Sequence, residues 1–391
     1  MSKQLKVAIV HDYLREYGGA ERVVEALHAM FPEAPLYTAF VDQQTLGIHW
    51  QRFKDWEIHE SIASKIPFIT KLYSPLRLFA AYFFEGFDLS DYDVVISSTN
   101  MYMAKAVLTS PHTLHICYCH TPPRSLYGYT TMSNWKKNPF TLVGGQLINF
   151  FLRKIDFLTA QRPDVFVANS QETKARIKKF YRRDAVVVYP PVSLFSPLSK
   201  GRTQVGLVAS TETNHPLPPP SKGGEYYLYV NRLAYAKHPE LAVQAATQLS
   251  IPLKVVGKGG LEEELRKMAG DTVEFCGAVN DEELVRLYQR AKALLYPVED
   301  EDFGIVPVEA MMMGVPVIAH ASGGPKETII DGKTGVFFDE LTTEGLISAV
   351  KKFETLKFNA DTIKKHAQQF SVENFERKIK TLIERELKKD K

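Results

Sequence analysis

Short β-branched runs alternate with helical patterns along this chain, and they do so twice, on either side of a stretch that suits neither. VAIVH (7–11), PLYTAF (35–40), YDVVISST (92–99), HTLHICYCHT (112–121), PDVFVANS (163–170) and AVVVYPP (185–191) read as strands, with helical patterns such as 20–31 and QETKARIKKFY between them. Strands of this kind, separated by helices, build parallel sheets covered on both faces. Residues 196–225 break the pattern, because the core PLPPPSKGG has no periodic apolar face. The alternation then restarts with YYLYVNR, a helix opened by Pro239, LKVVG, LEEELRKMA, TVEFCGAV, a helix capped by Asn280 with Glu283, ALLYPV, VPVEAMMMG and VPVIAH. The fold class is therefore α/β, with two doubly wound, Rossmann-like parallel-sheet domains. Their expected bounds are 1–195 and 226–373, joined by a linker with an insert over 196–225. A Lys-rich amphipathic helix over 374–391 should pack back on the N-terminal domain. Two such domains imply a cleft between them, where a ligand would lie.

The 391 residues suffice for two cores, and 48 Lys+Arg against 45 Asp+Glu leave a net charge of only +3. That balance gives no reason to expect a nucleic-acid partner. No apolar stretch approaches the ~18 residues of a spanning helix, and MSKQLKVAIVH holds no signal-peptide core. Cys117, Cys119 and Cys276 make no paired framework. A reduced, cytoplasmic setting is expected. Cys117 and Cys119 share one strand face and read as core residues, since C-x-C-H lacks the second pair of a zinc site.

Chemistry concentrates in EDFGIVPVEAMMMGVPVIAHASGGPKE, from Glu301 to Glu327. Glu301 follows a strand, and Phe303, Gly304 and Ile305 turn into a short helix that carries Glu309. The free N–H groups of that helix start suit an anion, and a carboxylate on each side suits vicinal hydroxyls of a sugar or ribose. Both acids are expected at the cleft rather than in the core. In VNRLAYAKHPE, Arg232 and Lys237 sit in the loop after the first strand of the second domain, at the strand end where such sheets bind ligands. Two cations there could neutralise a diphosphate. Gly18 and Gly19 follow the first strand, and His120 ends another, next to Pro122 and Pro123.

Taken together, these segments resemble retaining glycosyltransferases of family 4, whose GT-B fold has two Rossmann-like domains. The matching elements are Gly18-Gly19, His120, ANS at 168–170, Arg232 with Lys237, VGKGG at 256–260, and the Glu301-to-Glu309 motif. HDYLREYGGAERVVEAL with HTPPR most resembles bacterial mannosyltransferases of O-antigen and exopolysaccharide synthesis. The resemblance implies a nucleotide-sugar donor, GDP-mannose in such enzymes, and a glycan or lipid-linked acceptor in lipopolysaccharide or related polysaccharide synthesis. It implies Glu301 on the donor sugar, Glu309 on the ribose, Arg232 and Lys237 on the diphosphate, and His120 near the reacting sugar. It further implies same-face attack by the acceptor hydroxyl, with no metal and no cofactor. One departure is His238, which stands where Gly is usual, and a local loop change is expected there.

Other readings stay open on the residues alone. Asp300 and Asp302 form a D-x-D that could hold a metal in a transferase of the other major fold. A non-catalytic nucleotide-sugar-binding scaffold, or a GT-B epimerase or sugar-nucleotide hydrolase, would keep many of the same residues. A nicotinamide dehydrogenase is not supported, since Glu262 occupies the third glycine position of G-x-G-x-x-G. Lys174, Arg176, Lys178, Lys179, Arg182 and Arg183 crowd one expected helix and its exit, with Trp135, Lys136, Lys137 and Phe140 not far off in sequence. These would suit peripheral contact with an anionic membrane, on the inner face of the plasma membrane.

Overall fold

The computed structural model describes residues 5–130, 139–193 and 225–389. The linker expected over 196–225 therefore lies outside the described residues except for Glu225, as do Trp135, Lys136 and Lys137. The chain forms two compact units. The first takes the described residues up to Tyr129, those from Pro139 to Pro191, and those from Val372 onward; the second takes Thr130 and the described residues from Val192 to Ser371.

In the first unit seven strands form one all-parallel sheet: β1 (Val7–His11), β2 (Leu36–Thr38), β3 (Ile58–Glu60), β4 (Val94–Thr99), β5 (Leu114–Cys119), β6 (Val165–Ala168) and β7 (Ala185–Val187). Their spatial order is β3-β2-β1-β4-β5-β6-β7, so the winding reverses between β1 and β4. β1, β4 and β5 are buried along their whole length, which is why they read as unbroken apolar runs. Helix α1 (Gly19–Met30) covers one face together with the C-terminal helix Val372–Lys389. That helix puts Phe375, Ile379, Leu382 and Ile383 into one cluster with Ile9, Val24, Leu27 and Ile96. The other face is covered by short helical turns between Ile62 and Glu85 and by α2 (Pro139–Thr159). Helix α3 (Gln171–Tyr181) packs beside β6 and β7, and its start is capped by Ser170, whose side chain accepts from the Thr173 N–H at 2.9 Å.

A buried ion pair ties α2 to this unit. The Lys105 ammonium donates to Asp156 Oδ1 at 2.6 Å, and the hydroxyls of Tyr127 and Tyr181 donate to the same carboxylate at 2.8 and 3.2 Å. Burial, the largest single influence, would depress the Lys105 pKa, yet the charge and the hydrogen bond of Asp156 act together against it and the pKa is raised. Cys117 and Cys119 are fully buried beside Phe166 and Tyr181, and burial pushes the Cys117 thiol up to about 12.

The second unit carries a six-stranded parallel sheet of β8 (Tyr226–Val230), β9 (Leu253–Val256), β10 (Val273–Gly277), β11 (Ala291–Tyr296), β12 (Val317–His320) and β13 (Gly335–Phe338). The order is β10-β9-β8-β11-β12-β13, and here the winding reverses between β8 and β11. The connecting and covering helices are α4 (Pro239–Leu249), α5 (Glu262–Met268), α6 (Asp281–Arg290), α7 (Ile305–Met312), α8 (Thr343–Glu354) and α9 (Ala360–Ala367). Asn280 caps α6 by accepting from the Glu283 N–H at 2.8 Å. In open α/β sheets the crevice at such a reversal, beyond the carboxyl ends of the strands, is where ligands bind. Each unit places its chemistry-bearing loops there.

Candidate active site

In the second unit, the loops after β8 and β11 meet. The Lys237 ammonium is ion-paired with Glu301, and the Tyr296 hydroxyl donates to the same Glu301 oxygen at 2.9 Å. Burial, then the Glu301 charge, raises the Tyr296 pKa well above the ordinary phenol value, so it stays a donor. Glu301 keeps about an eighth of its side chain open (13%). Eight residues on, Glu309 lies on α7, buried, with the Tyr288 hydroxyl donating to it at 3.3 Å. The two acids therefore differ in exposure: Glu301 borders solvent, whereas Glu309, expected at the cleft, is 2% exposed.

Close backbone approach explains the glycines around these loops. A Cβ on Gly324 would lie 2.4 Å from the Phe303 Cα, and one on Gly323 would lie 2.2 Å from the Glu301 carbonyl oxygen. The SGG segment thus lies flat against the Glu301–Phe303 turn, and the Gly324 N–H donates to the Glu301 carbonyl at 2.7 Å. Gly257 does the same for the other loop, since a Cβ there would lie 1.9 Å from the Asn231 carbonyl oxygen. Gly304, at φ +86°, precedes α7. Phe303 is buried against Phe370, and Ile305 opens the helix. Arg232 is exposed. His238 takes the left-handed conformation itself (φ +45°, ψ +48°), the one a glycine adopts freely, and its ring meets Glu240 at 3.0 Å.

In the first unit, Gly18 and His120 are linked by a buried relay. The Gly18 N–H donates to Glu21 Oε2 at 2.8 Å, and Glu21 Oε1 lies 3.3 Å from His11 Nε2. His11 Nδ1 sits 3.2 Å from Ser98 Oγ, which is 2.8 Å from His120 Nε2. Burial would lower the His11 pKa, but Glu21, through its hydrogen bond and charge, overrides it and the pKa is raised; Glu21 is lowered in return. His120 is pushed down to about 4, first by burial and then by the His11 charge. The consistent assignment is a charged His11–Glu21 pair, with Ser98 donating its hydroxyl proton to a neutral His120 that carries its own proton on Nδ1. Gly19 opens α1 next to this relay.

Sequence reasoning missed His11, Glu21, Ser98, Tyr296 and Tyr288. It also missed Asp12, whose buried carboxylate accepts from the backbone N–H groups of Asn100, Met101, Tyr102 and Ala104 at 2.6–2.8 Å. A signal existed for two of them, since His11-Asp12 stands at the carboxyl end of the first strand. The cationic helix α3 is less uniform than its sequence. Arg176 is buried against Glu172 and Thr121, and Arg183 donates to the carbonyls of Ala160 and Pro163. Among the described residues no cluster of three or more His, Cys, Asp or Glu side chains could hold a metal.

Solved structures define the class. Sucrose-phosphate synthase from Thermosynechococcus elongatus is similar with a TM-score of 0.68 at 20% identity, over 98% of this chain and 99% of its own. Anabaena HepE, solved with UDP and glucose, gives 0.65 at 17% identity, over 97% of this chain and 100% of its own. At such identities the likeness is one of fold, and with the two parallel sheets it makes this a GT-B protein. Two family models then divide the chain between them: residues 17–194 match Glycosyltransferase Family 4, and residues 210–371 match Glycosyl transferases group 1. The chain belongs to the GT-B glycosyltransferases of the family 4 type. Among curated relatives, human alpha-1,3/1,6-mannosyltransferase ALG2 is 29% identical over 267 residues, 60% of this chain and 58% of the human protein. Glycogen synthase of Thermus thermophilus is 37% identical over 131 residues, 31% of this chain and 30% of its own. The chain thus spans less than two thirds of these relatives.

Proposed function

We propose that this glycosyltransferase moves mannose from GDP-mannose to a lipid-linked or glycan acceptor in cell-surface polysaccharide synthesis, with retention at the anomeric carbon. The likeness to a mannosyltransferase supports the sugar. The observation that carries the reading is the Lys237–Glu301–Tyr296 cluster at the sheet reversal, with Glu309 eight residues along the same loop and helix. Glu301 takes the hydroxyls of the donor sugar, and Glu309 the ribose. Arg232, Lys237 and the N–H groups at the start of α7 take up charge that grows on the leaving diphosphate. A neutral His120, its Nε2 already engaged by Ser98, acts as a hydrogen-bond donor through Nδ1 and not as a base. The departing phosphate oxygen accepts the acceptor's proton as the new glycosidic bond forms on the face that the nucleotide leaves. Fixed cations do here what a divalent ion does elsewhere, so turnover should persist in EDTA.

A donor screen tests this. Nucleotide release is followed across GDP-mannose, UDP-glucose, UDP-N-acetylglucosamine and UDP-galactose, with and without a lipid-linked acceptor. GDP release that requires acceptor and yields an α-linked product is expected. Release without acceptor would mean a hydrolase, and preference for a UDP-sugar would remove the mannosyl assignment.

A further inference from the structure

Helix α2 turns an apolar face outward. Its inward positions are Asn149, Leu152, Asp156 and Thr159, all buried. On the opposite side Leu147, Ile148, Phe150, Phe151, Phe157 and Leu158 are exposed, with Leu147 and Phe150 at 63% and 61%. The other outward positions from residue 146 to 158 are Gln146, Arg153 and Lys154, so that face holds two cations and no acid. A helix apolar on both sides is normally buried on both. Among the described residues the outer apolar side chains stay open, and of the two cations Arg153 also donates to the Leu126 carbonyl at 3.2 Å.

A second segment of the same unit repeats this composition. Between Ile62 and Tyr82 the short helical turns cover the cluster that also receives Leu152 of α2, and α2 packs against the turn at Pro75–Phe79. Their outward side chains include Ile62, Phe68, Phe79 and Tyr82, alongside Lys65 and Lys71. Phe68 is 72% exposed on a left-handed backbone (φ +59°), a strained way to display an aromatic ring to water. The sequence has no Asp or Glu from Ser61 to Phe84, and none between Asp93 and Asp156.

We propose that the outer face of α2 and the Ile62–Tyr82 segment form the surface by which this chain seats on an anionic lipid bilayer, aromatic and aliphatic side chains entering the interface while Lys65, Lys71, Arg153 and Lys154 meet lipid headgroups. Exposed aromatics and leucines interleaved with cations, with acids excluded, are the composition of an interfacial element. A second copy of the chain fits less well, because a two-fold contact would set the same cations against each other. No helix among the described residues is long and apolar enough to cross a membrane, so the contact is peripheral. The proposal rests on the transferase reading only for its purpose, which is to bring the enzyme to a lipid-linked acceptor.

Co-sedimentation with phosphatidylcholine vesicles, with and without phosphatidylglycerol, tests it on the full chain. Binding is expected with phosphatidylglycerol at low salt, and it should fade as salt rises. The double substitution Phe150→Ser, Phe151→Ser should weaken partitioning about tenfold or more, and Lys154→Glu should weaken it at low salt. Both should leave the melting temperature unchanged, because these side chains are exposed. Wild-type protein that stays in the supernatant overturns the proposal. So does a double variant that binds like wild type, and so does a dimer that the double variant abolishes while vesicles bind nothing. Neither donor nor acceptor is present in this assay, so its failure leaves the transferase reading standing, and a failed donor screen leaves vesicle binding standing.

Discussion

Glu301 and Glu309 stand eight residues apart, and the different roles proposed for them should separate in kinetics. Glu301 borders solvent beside Lys237 and Tyr296. Removing it in Glu301→Ala should lower kcat by about a hundredfold, the loss of one charge-assisted hydrogen bond in the transition state. Glu309→Ala should instead raise the donor KM and also cost about 1–3 kcal/mol of stability, since it leaves the buried Tyr288 hydroxyl without this acceptor. Steady-state kinetics with urea melts decides both, and unchanged kcat in Glu301→Ala would remove its role. The histidines give a pH signature. His115 is pushed down to about 3, by burial first and then by Arg162 and Arg183, and His120 to about 4. Below the ordinary histidine value the unfolded chain binds protons that the folded unit refuses, so stability falls as pH drops toward 4. The slope is about 1.4 kcal/mol per pH unit for each histidine. His11 runs the other way: its raised pKa gives stability that is full below the ordinary value and is lost as pH rises through the folded one. Urea melts at pH 5 and 7 should show a shallower acid loss in His115→Gln than in wild type. The acidic pair was legible in the sequence because both members share one local motif. The relay was not, because His11 and Ser98 are 87 residues apart and meet only when β1 pairs with β4.

At the scale of elements, most strands that the sequence announced are buried, although the edge strands β7 and β10 were announced while only partly buried, and the buried edge strand β13 was not announced. β3 escaped, being three residues long, half-exposed and on the sheet edge, where nothing forces an apolar run. α2 escaped for the opposite reason: its periodicity is blurred by large apolar residues on the outer face. Its register is set by Asp156 on Lys105, a contact that no local pattern encodes. Lys105→Met should therefore destabilise the first unit by about 3–5 kcal/mol, because it strands a buried carboxylate, while Lys105→Met with Asp156→Leu should recover part of the loss. Equal losses in the single and double variants would show that packing, and not charge, holds α2. Before α4, His238 spends strain on a left-handed conformation. His238→Gly should raise stability by up to about 1 kcal/mol, its half-exposed contact with Glu240 being worth less. A loss in urea melts would show that the ring contact matters more than the backbone.

On the scale of the whole molecule, the first unit closes with residues from far along the chain. Phe375, Ile379, Leu382 and Ile383 lie in the same cluster as β1 and α1. Ending the chain before Val372 would remove these four large apolar side chains, each worth about 1.5–3 kcal/mol when buried, and uncover their partners Ile9, Val24, Leu27 and Ile96. That sum is comparable to the whole stability of a domain. Such a truncation should unfold the first unit or make it aggregate, and the second, whose sheet and helices all lie between Glu225 and Ser371, should keep its own melting transition. Calorimetry of the truncated chain is the measurement, and two intact transitions would refute the argument. The same arrangement sets an order on the ribosome. The half of the protein that emerges first cannot finish its core until residues 372–389 have cleared the exit tunnel. Through all that time α1 and the sheet face beneath it stay uncovered, and the later-made unit can complete itself before the earlier one.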